Sequence, residues 1–211
     1  MTIQSNSVSR SQLLLKVVLG VLLFCTTSLF AQKKSAFKEG YVLPLNGDTL
    51  RGLVMDRDES AFGGLLTKVK FRSDKGRRRK YKPSDLLGYH RGADSFVSLW
   101  INTETKYFAQ HYSSVVGLGE QYFVKVIYHG SLDLYHWEYT DEDNNTIDFL
   151  PLIRKANSAE LVRVTQGILG LKRKRLAEYF ADCPNLASAI KSKTLHSSAE
   201  LIDYYELNCA Q

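Results

Sequence analysis

Two eight-residue stretches, Tyr122–His129 and Leu132–Tyr139, flank Gly130-Ser131 and restrict this chain more than any other feature. Apolar and aromatic residues alternate with Lys125, His136 and Glu138 along both stretches. That period of two belongs to a strand with one covered face and one wetted face. Glycine at the first central position suits a type II′ turn, so the stretches are expected to pair as an antiparallel hairpin. His129 then lies opposite Leu132 and His136 opposite Lys125, and Tyr122, Val124, Val126, Tyr128, Tyr135, Trp137 and Tyr139 share a face. The face reads as core. Its alternative use is a binding face of Tyr122, Tyr128, Tyr135, Trp137 and Tyr139, because aromatic rings stack on sugars and anchor protein partners.

The same pattern recurs upstream. Tyr41, Leu43 and Leu45 alternate before Asn46-Gly47, which reads as a two-residue turn into a return strand over 50–55. Lys68–Arg72 alternates strictly, Ser73–Gly76 reads as a turn, and Arg77–Lys82 as the partner strand. A short helical turn is expected at Pro83–Leu86, and strands near 87–91, 96–101, 106–112 and 147–153. Short strands at this spacing predict an α+β domain built on a mostly antiparallel β-sandwich or open barrel, closed by a short C-terminal helical cap.

From about Leu169 the period changes to that of a helix, with Leu171, Leu176, Tyr179 and Phe180 on one side. Cys183-Pro184 stops this helix and Pro184 opens a second. Ser197 and Glu200 have capping-box spacing for a third. Short helices of this kind need docking to persist.

The first residues predict export. Arg10 and Lys16 precede an apolar run from Val17 to Phe24, small residues follow, and no acid occurs before Glu39. This is the order of a cleavable signal peptide, with the cut expected after Ala31. Cys25 lacks the small preceding residue of a lipobox, since Phe24 stands there. The expected organisation is therefore a signal peptide over 1–31, a β domain over 32–168, and a helical segment over 169–211 docked on it. Of 28 basic and 22 acidic residues, removal of Arg10 and Lys16 leaves an excess of four positive charges. In an exported chain, that balance points to solubility or to attraction by anionic envelope components, and not to nucleic acid. Cys183 and Cys209 remain, and an oxidising compartment makes them a disulfide pair.

Three short motifs stand out: Tyr41–Gly52 with its Asn46-Gly47-Asp48-Thr49 turn, Tyr81-Lys82-Pro83-Ser84-Asp85, and Asp182-Cys183-Pro184. Together they resemble an uncharacterised exported protein family common in Bacteroidetes. The resemblance implies an envelope protein of one domain and implies no active site.

Linear signatures of chemistry are absent. No catalytic, cofactor-binding or metal-ligating residues are expected, and no cofactor. His90, His111, His129, His136 and His196 lack metal-ligand spacing, and His129 and His136 would stand ~13 Å apart along the ladder. The acidic stretch Asp141–Asn145 lacks the glycine and closing glutamate of a calcium loop. Ser188-Ala189-Ile190-Lys191 matches S-x-x-K without the companion elements that its enzymes need. The run Lys75–Lys82 reads as an edge strand protected by charge, with an anion site as the alternative. The sequence thus predicts a non-enzymatic module of the periplasm or cell exterior, soluble or peripherally membrane-associated, with a protein, glycan or lipid partner. No transmembrane span is expected after signal cleavage. The alternative is a hydrolase whose site gathers from separate strands.

Overall fold

The computed structural model describes residues 36–57, 68–107, 109–141 and 146–210. The expected signal peptide and most of the acidic stretch after Asp141 lie outside them. The antiparallel α+β architecture expected from the sequence is the one found. Strands run in the order β1 (Phe37–Pro44), β2 (Leu50–Met55), β3 (Val69–Ser73), β4 (Arg78–Tyr81), β5 (Leu86–Arg91), β6 (Asp94–Lys106), β7 (Ala109–Ser113), β8 (Glu120–Tyr128), β9 (Leu132–Asp141), β10 (Thr146–Lys155) and β11 (Glu160–Arg163). Helices α1 (Arg173–Tyr179), α2 (Pro184–Lys191) and α3 (Ser198–Asn208) follow.

The long strand β6 organises the sheet. One edge of its first half pairs with β5 and one edge of its second half with β7, while β8 pairs with it from Ser95 to Ile101. With β7–β11, β11–β10, β10–β9 and β9–β8, these ladders close a six-stranded barrel. Strands β5, β1, β2, β3 and β4 extend outward from β6. Closure removes the edges that an open sheet would leave.

Alternation along β6 and β8 then serves two cores. Val97, Leu99, Ile101, Tyr122, Val124 and Val126 face the barrel interior, with Tyr112, Tyr135, Trp137, Leu152 and Leu161. Phe96 and Phe123, on the other face, pack with Val42, Val54, Val69, Phe71, Leu86 and Tyr89 of the outer strands. Glycine permits the tight approach of these strands: a side chain at Gly40 would collide with the His90 carbonyl, and one at Gly88 with that of Phe96. The turn at Pro83–Asp85 seats a buried Pro83 here, with its carbonyl accepting from Ser98 Oγ at 2.7 Å. Asp85 accepts from the Lys82 backbone N–H at 2.7 Å and holds the turn closed.

A third core lies on the outer face of β9–β11. Leu132, Leu134, Ile153 and Val162 meet Leu176, Phe180, Leu186, Ile190, Leu201 and Tyr205 of the helices there. Ser197 caps α3 by accepting from Glu200 N at 3.2 Å. Cys183, before Pro184, and Cys209, at the end of α3, form a disulfide with their Cα atoms 5.8 Å apart.

Several local expectations are corrected. Val42 pairs with Leu50, so seven residues, 43–49, connect the last paired positions of the first hairpin, which does not turn through Asn46-Gly47 alone. The strand expected over 106–112 forms only from Ala109, as β7, and its first residues are a reversal: Lys106 pairs with Ala109, and Tyr107 takes a left-handed φ of 49°. Strand β11 was not expected, and the first tail helix begins at Arg173 instead of Leu169. Between β8 and β9, Lys125 does pair with His136, but a bulge then shifts Tyr128 opposite Leu134. Gly130 adopts no left-handed φ, so the type II′ turn is not formed. The Leu132 N–H that such a turn would have used donates instead to Glu206 Oε1 of α3 at 2.9 Å. A side chain at Gly130 would sit close to that carboxylate.

Candidate functional site

Strand β4 is the outer edge of the sheet and pairs with β3 alone. Its register places Arg79 opposite Phe71, and β3 in turn places Phe71 opposite Val54 and Ser73 opposite Gly52. The turn between β3 and β4 closes through Gly76 N to Ser73 O at 2.8 Å and Ser73 N to Arg77 O at 3.0 Å. Arg77 and Arg79 lie two apart and so project to the side of Phe71 and Ser73, whereas Arg51 of β2, one residue before Gly52, projects to the other face of the sheet with Tyr41. Gly52 keeps this space clear, since a side chain there would press on the Phe71 ring.

The result is a groove of about 530 Å³, with Leu50 and Phe71 as apolar lining and Arg51, Lys75, Arg77 and Arg79 as cations. Asp74 is the one acid that lines it. Among the described residues none of the four cations forms an ion pair. Four unneutralised charges around one concavity raise the local concentration of anions. A second depression of about 560 Å³ adjoins it and shares Arg51 and Asp74. Tyr41 and His90 line that depression and stack at 5.2 Å with their rings 5° from parallel. By the ladder registers Tyr41, Arg51 and His90 face one side of the sheet and Phe71, Arg77 and Arg79 the other, so the two depressions open on opposite faces.

The aromatic residues of the central hairpin divide. Tyr122, Tyr135 and Trp137 pack with the barrel core, and Trp137 meets the rings of Tyr122 and Tyr112 at 4.9 and 6.1 Å. Tyr128 leaves that face because of the bulge and is exposed, as is Tyr139 at the rim, where its hydroxyl donates to Asp148 at 3.0 Å. Among the described residues no cluster of His, Cys, Asp and Glu has metal-site geometry. His136 stacks on Phe149 at 4.0 Å, and burial together with Lys125 pushes its pKa down.

Sequence reasoning missed two polar networks. Arg57 is buried between the cores: it donates to the Phe123 carbonyl at 2.9 Å, to Glu138 and to Asp56, and lies over the Phe96 ring. The Tyr89 hydroxyl donates to Asp56 at 2.5 Å. Burial pushes the tyrosine far above its ordinary range, and burial raises Glu138 despite the opposing pull of Arg57. At the barrel mouth a buried Asp133 accepts from Tyr135 Oη at 2.7 Å and Arg154 Nη2 at 3.2 Å, and lies 2.6 Å from His129 Nδ1. Burial raises the Asp133 pKa, but these three partners outweigh it and leave it lowered. Among the described residues neither network carries a serine, threonine or cysteine within its hydrogen bonds.

No family model, no curated protein and no solved structure matches this chain.

Proposed function

We propose that this chain is an exported, non-enzymatic module of the cell envelope, and that it binds an acidic glycan along the groove of β2, β3 and β4. The observation that carries the reading is the gathering of Lys75, Arg77 and Arg79 around one groove over Phe71, with Arg51 at its margin. Arginine forks match carboxylate and phosphate oxygens in pairs, while the apolar lining of Leu50 and Phe71 suits the faces of sugar rings. The charges that keep β4 from pairing with another sheet edge thus take on a second role. Export, with removal of residues 1–31, belongs to the same proposal, as does the resemblance to an exported Bacteroidetes family. The Cys183–Cys209 bridge supports an oxidising destination.

The test is calorimetric titration with a polyuronate and with a neutral glucan of equal length. The polyuronate should bind saturably and weaken with salt, and replacing Arg51, Arg77 and Arg79 with glutamine should weaken it at least tenfold. Equal binding of the neutral polymer, or none of either, defeats the reading. New reducing ends during the titration would mark a hydrolase instead.

A further inference from the structure

The barrel has a thin seam. Strands β7 and β11 share only the pairs Ser113–Glu160 and Tyr112–Leu161, against ten pairs between β9 and β10. Beyond those two pairs the strands part, and a slot of about 110 Å³ opens between Gln110–Tyr112 and Leu161–Arg163. Lys172, at the start of α1, and Arg175 complete its lining. Arg163 follows Leu161 at the two-residue period and lies opposite Leu152, and both leucines face the barrel core. Its guanidinium therefore belongs to the barrel side of the seam.

The charges in this slot do not balance. No carboxylate lines it, and the nearest acid on β11, Glu160, is bonded to Arg175. His111 lies opposite Glu104, but that carboxylate is taken by Lys106 at 2.6 Å. Among the described residues Arg163 and Lys172 form no ion pair, and the Arg163 Nε is buried with no hydrogen-bond partner. Burial and the neighbouring Arg163 both push the Lys172 ammonium down. Two cations gathered without an acid, one with an unused buried donor, make a receptor for negative charge.

We infer that the β7–β11 slot binds one small oxyanion, of the phosphate or sulfate class, between Arg163 and Lys172. The volume sets the size, since at ~30 Å³ per water it holds a few waters or a single tetrahedral group. The slot shares no lining residue with the arginine groove, so the two are separate sites. The oxyanion would fill the gap where the ladder stops and tie β7, β11 and α1 together. Occupancy would then raise stability by mass action.

The experiment is thermal unfolding and calorimetry of the exported protein with inorganic phosphate, against sodium chloride at matched ionic strength. Phosphate should bind saturably and raise Tm, and Lys172→Gln and Arg163→Gln should each weaken it tenfold or more. If Arg163→Gln does not fold, Lys172→Gln decides alone. Glycerol 3-phosphate forms a second arm: binding as tight as phosphate assigns the slot to the phosphate of a larger molecule, and phosphate binding alone assigns it to the free ion. The Arg51, Arg77, Arg79 triple variant should keep phosphate affinity, which separates this site from the groove. No saturable effect of either compound beyond chloride, or full affinity in Lys172→Gln, overturns the inference.

Discussion

Arg57 and Glu138 are bonded to one another across 81 residues of chain. The pair ties the end of β2 to the middle of β9, through a wall whose other face is the barrel interior. The Arg57 side chain is 4% exposed and that of Glu138 22%, so the arginine bears most of the desolvation. Removing one partner of a buried pair strands the other, which costs about 3–5 kcal/mol. Arg57→Met should therefore lower unfolding stability by about 3 kcal/mol, read by urea denaturation at neutral pH. Glu138→Gln should cost less, because Asp56 and the Phe123 carbonyl still hold the guanidinium. The double variant should cost less than the two losses combined. Strict additivity would mean that the bond contributes nothing.

Asp133 offers a test by pH. Its side chain is 4% exposed, and its folded pKa is lowered below the ordinary 3.8 by Tyr135, His129 and Arg154, against the opposing effect of burial. A depressed carboxylate contributes stability above its unfolded pKa and loses it as pH falls through the folded value. Asp133→Asn should thus cost about 2–3 kcal/mol at neutral pH, as hydrogen bonds to a charged group are lost. The gap between wild type and variant should stay level down to about pH 4, the unfolded carboxylate range, and close below it. Denaturation midpoints from pH 7 to pH 2 measure this directly. A gap that persists unchanged at pH 2 would assign the loss to packing.

What the sequence made legible follows from the reach of each interaction. The strands β1, β2, β3, β5, β8, β9 and β10 carry local alternation, and Ser197 with Glu200 is a local capping signal, so all could be read. The reversal at Tyr107 could not, because no Gly, Asn or Pro marks it and a tyrosine takes the left-handed φ. The irregular turn after Tyr128 bonds through Leu132 N to Glu206, a helical residue 74 positions downstream, which no local window contains. The run Lys75–Lys82 was visible as charge on an edge strand. That Phe71 and Leu50 line the groove beside it depends on the registers of β2 with β3 and β3 with β4, which no window of sequence contains. Arg57 and Asp133 were illegible for the same reason, since their burial is decided by strands far away in the chain.

The Cys183–Cys209 bridge is the last point of leverage, because it closes the tail on itself. It links the residue before α2 to the end of α3 over a separation of 26 residues. In the chain-entropy picture a loop of that length contributes ~3.5 kcal/mol. Apolar docking also acts on α3: Leu201, Ile202 and Tyr205 are buried, Tyr205 meets Phe180 at 5.4 Å between ring centroids, and Glu206 accepts from Leu132. An isolated three-turn helix would not persist in water, so these contacts and the bridge share the work of holding it. Cys209→Ser should leave the barrel intact but lower the melting temperature, and hydrogen exchange should accelerate over Leu201–Tyr205 before it does in β9 or β10. Adding Leu201→Ala, which opens a cavity worth about 2–5 kcal/mol in the third core, should then release α3 while the bridged Leu201→Ala protein keeps it in place. Alkylation of the folded wild-type protein without reductant should label neither cysteine. Labelling of both in the folded protein would remove the bridge from this account and leave α3 held by Leu201, Ile202, Tyr205 and Glu206.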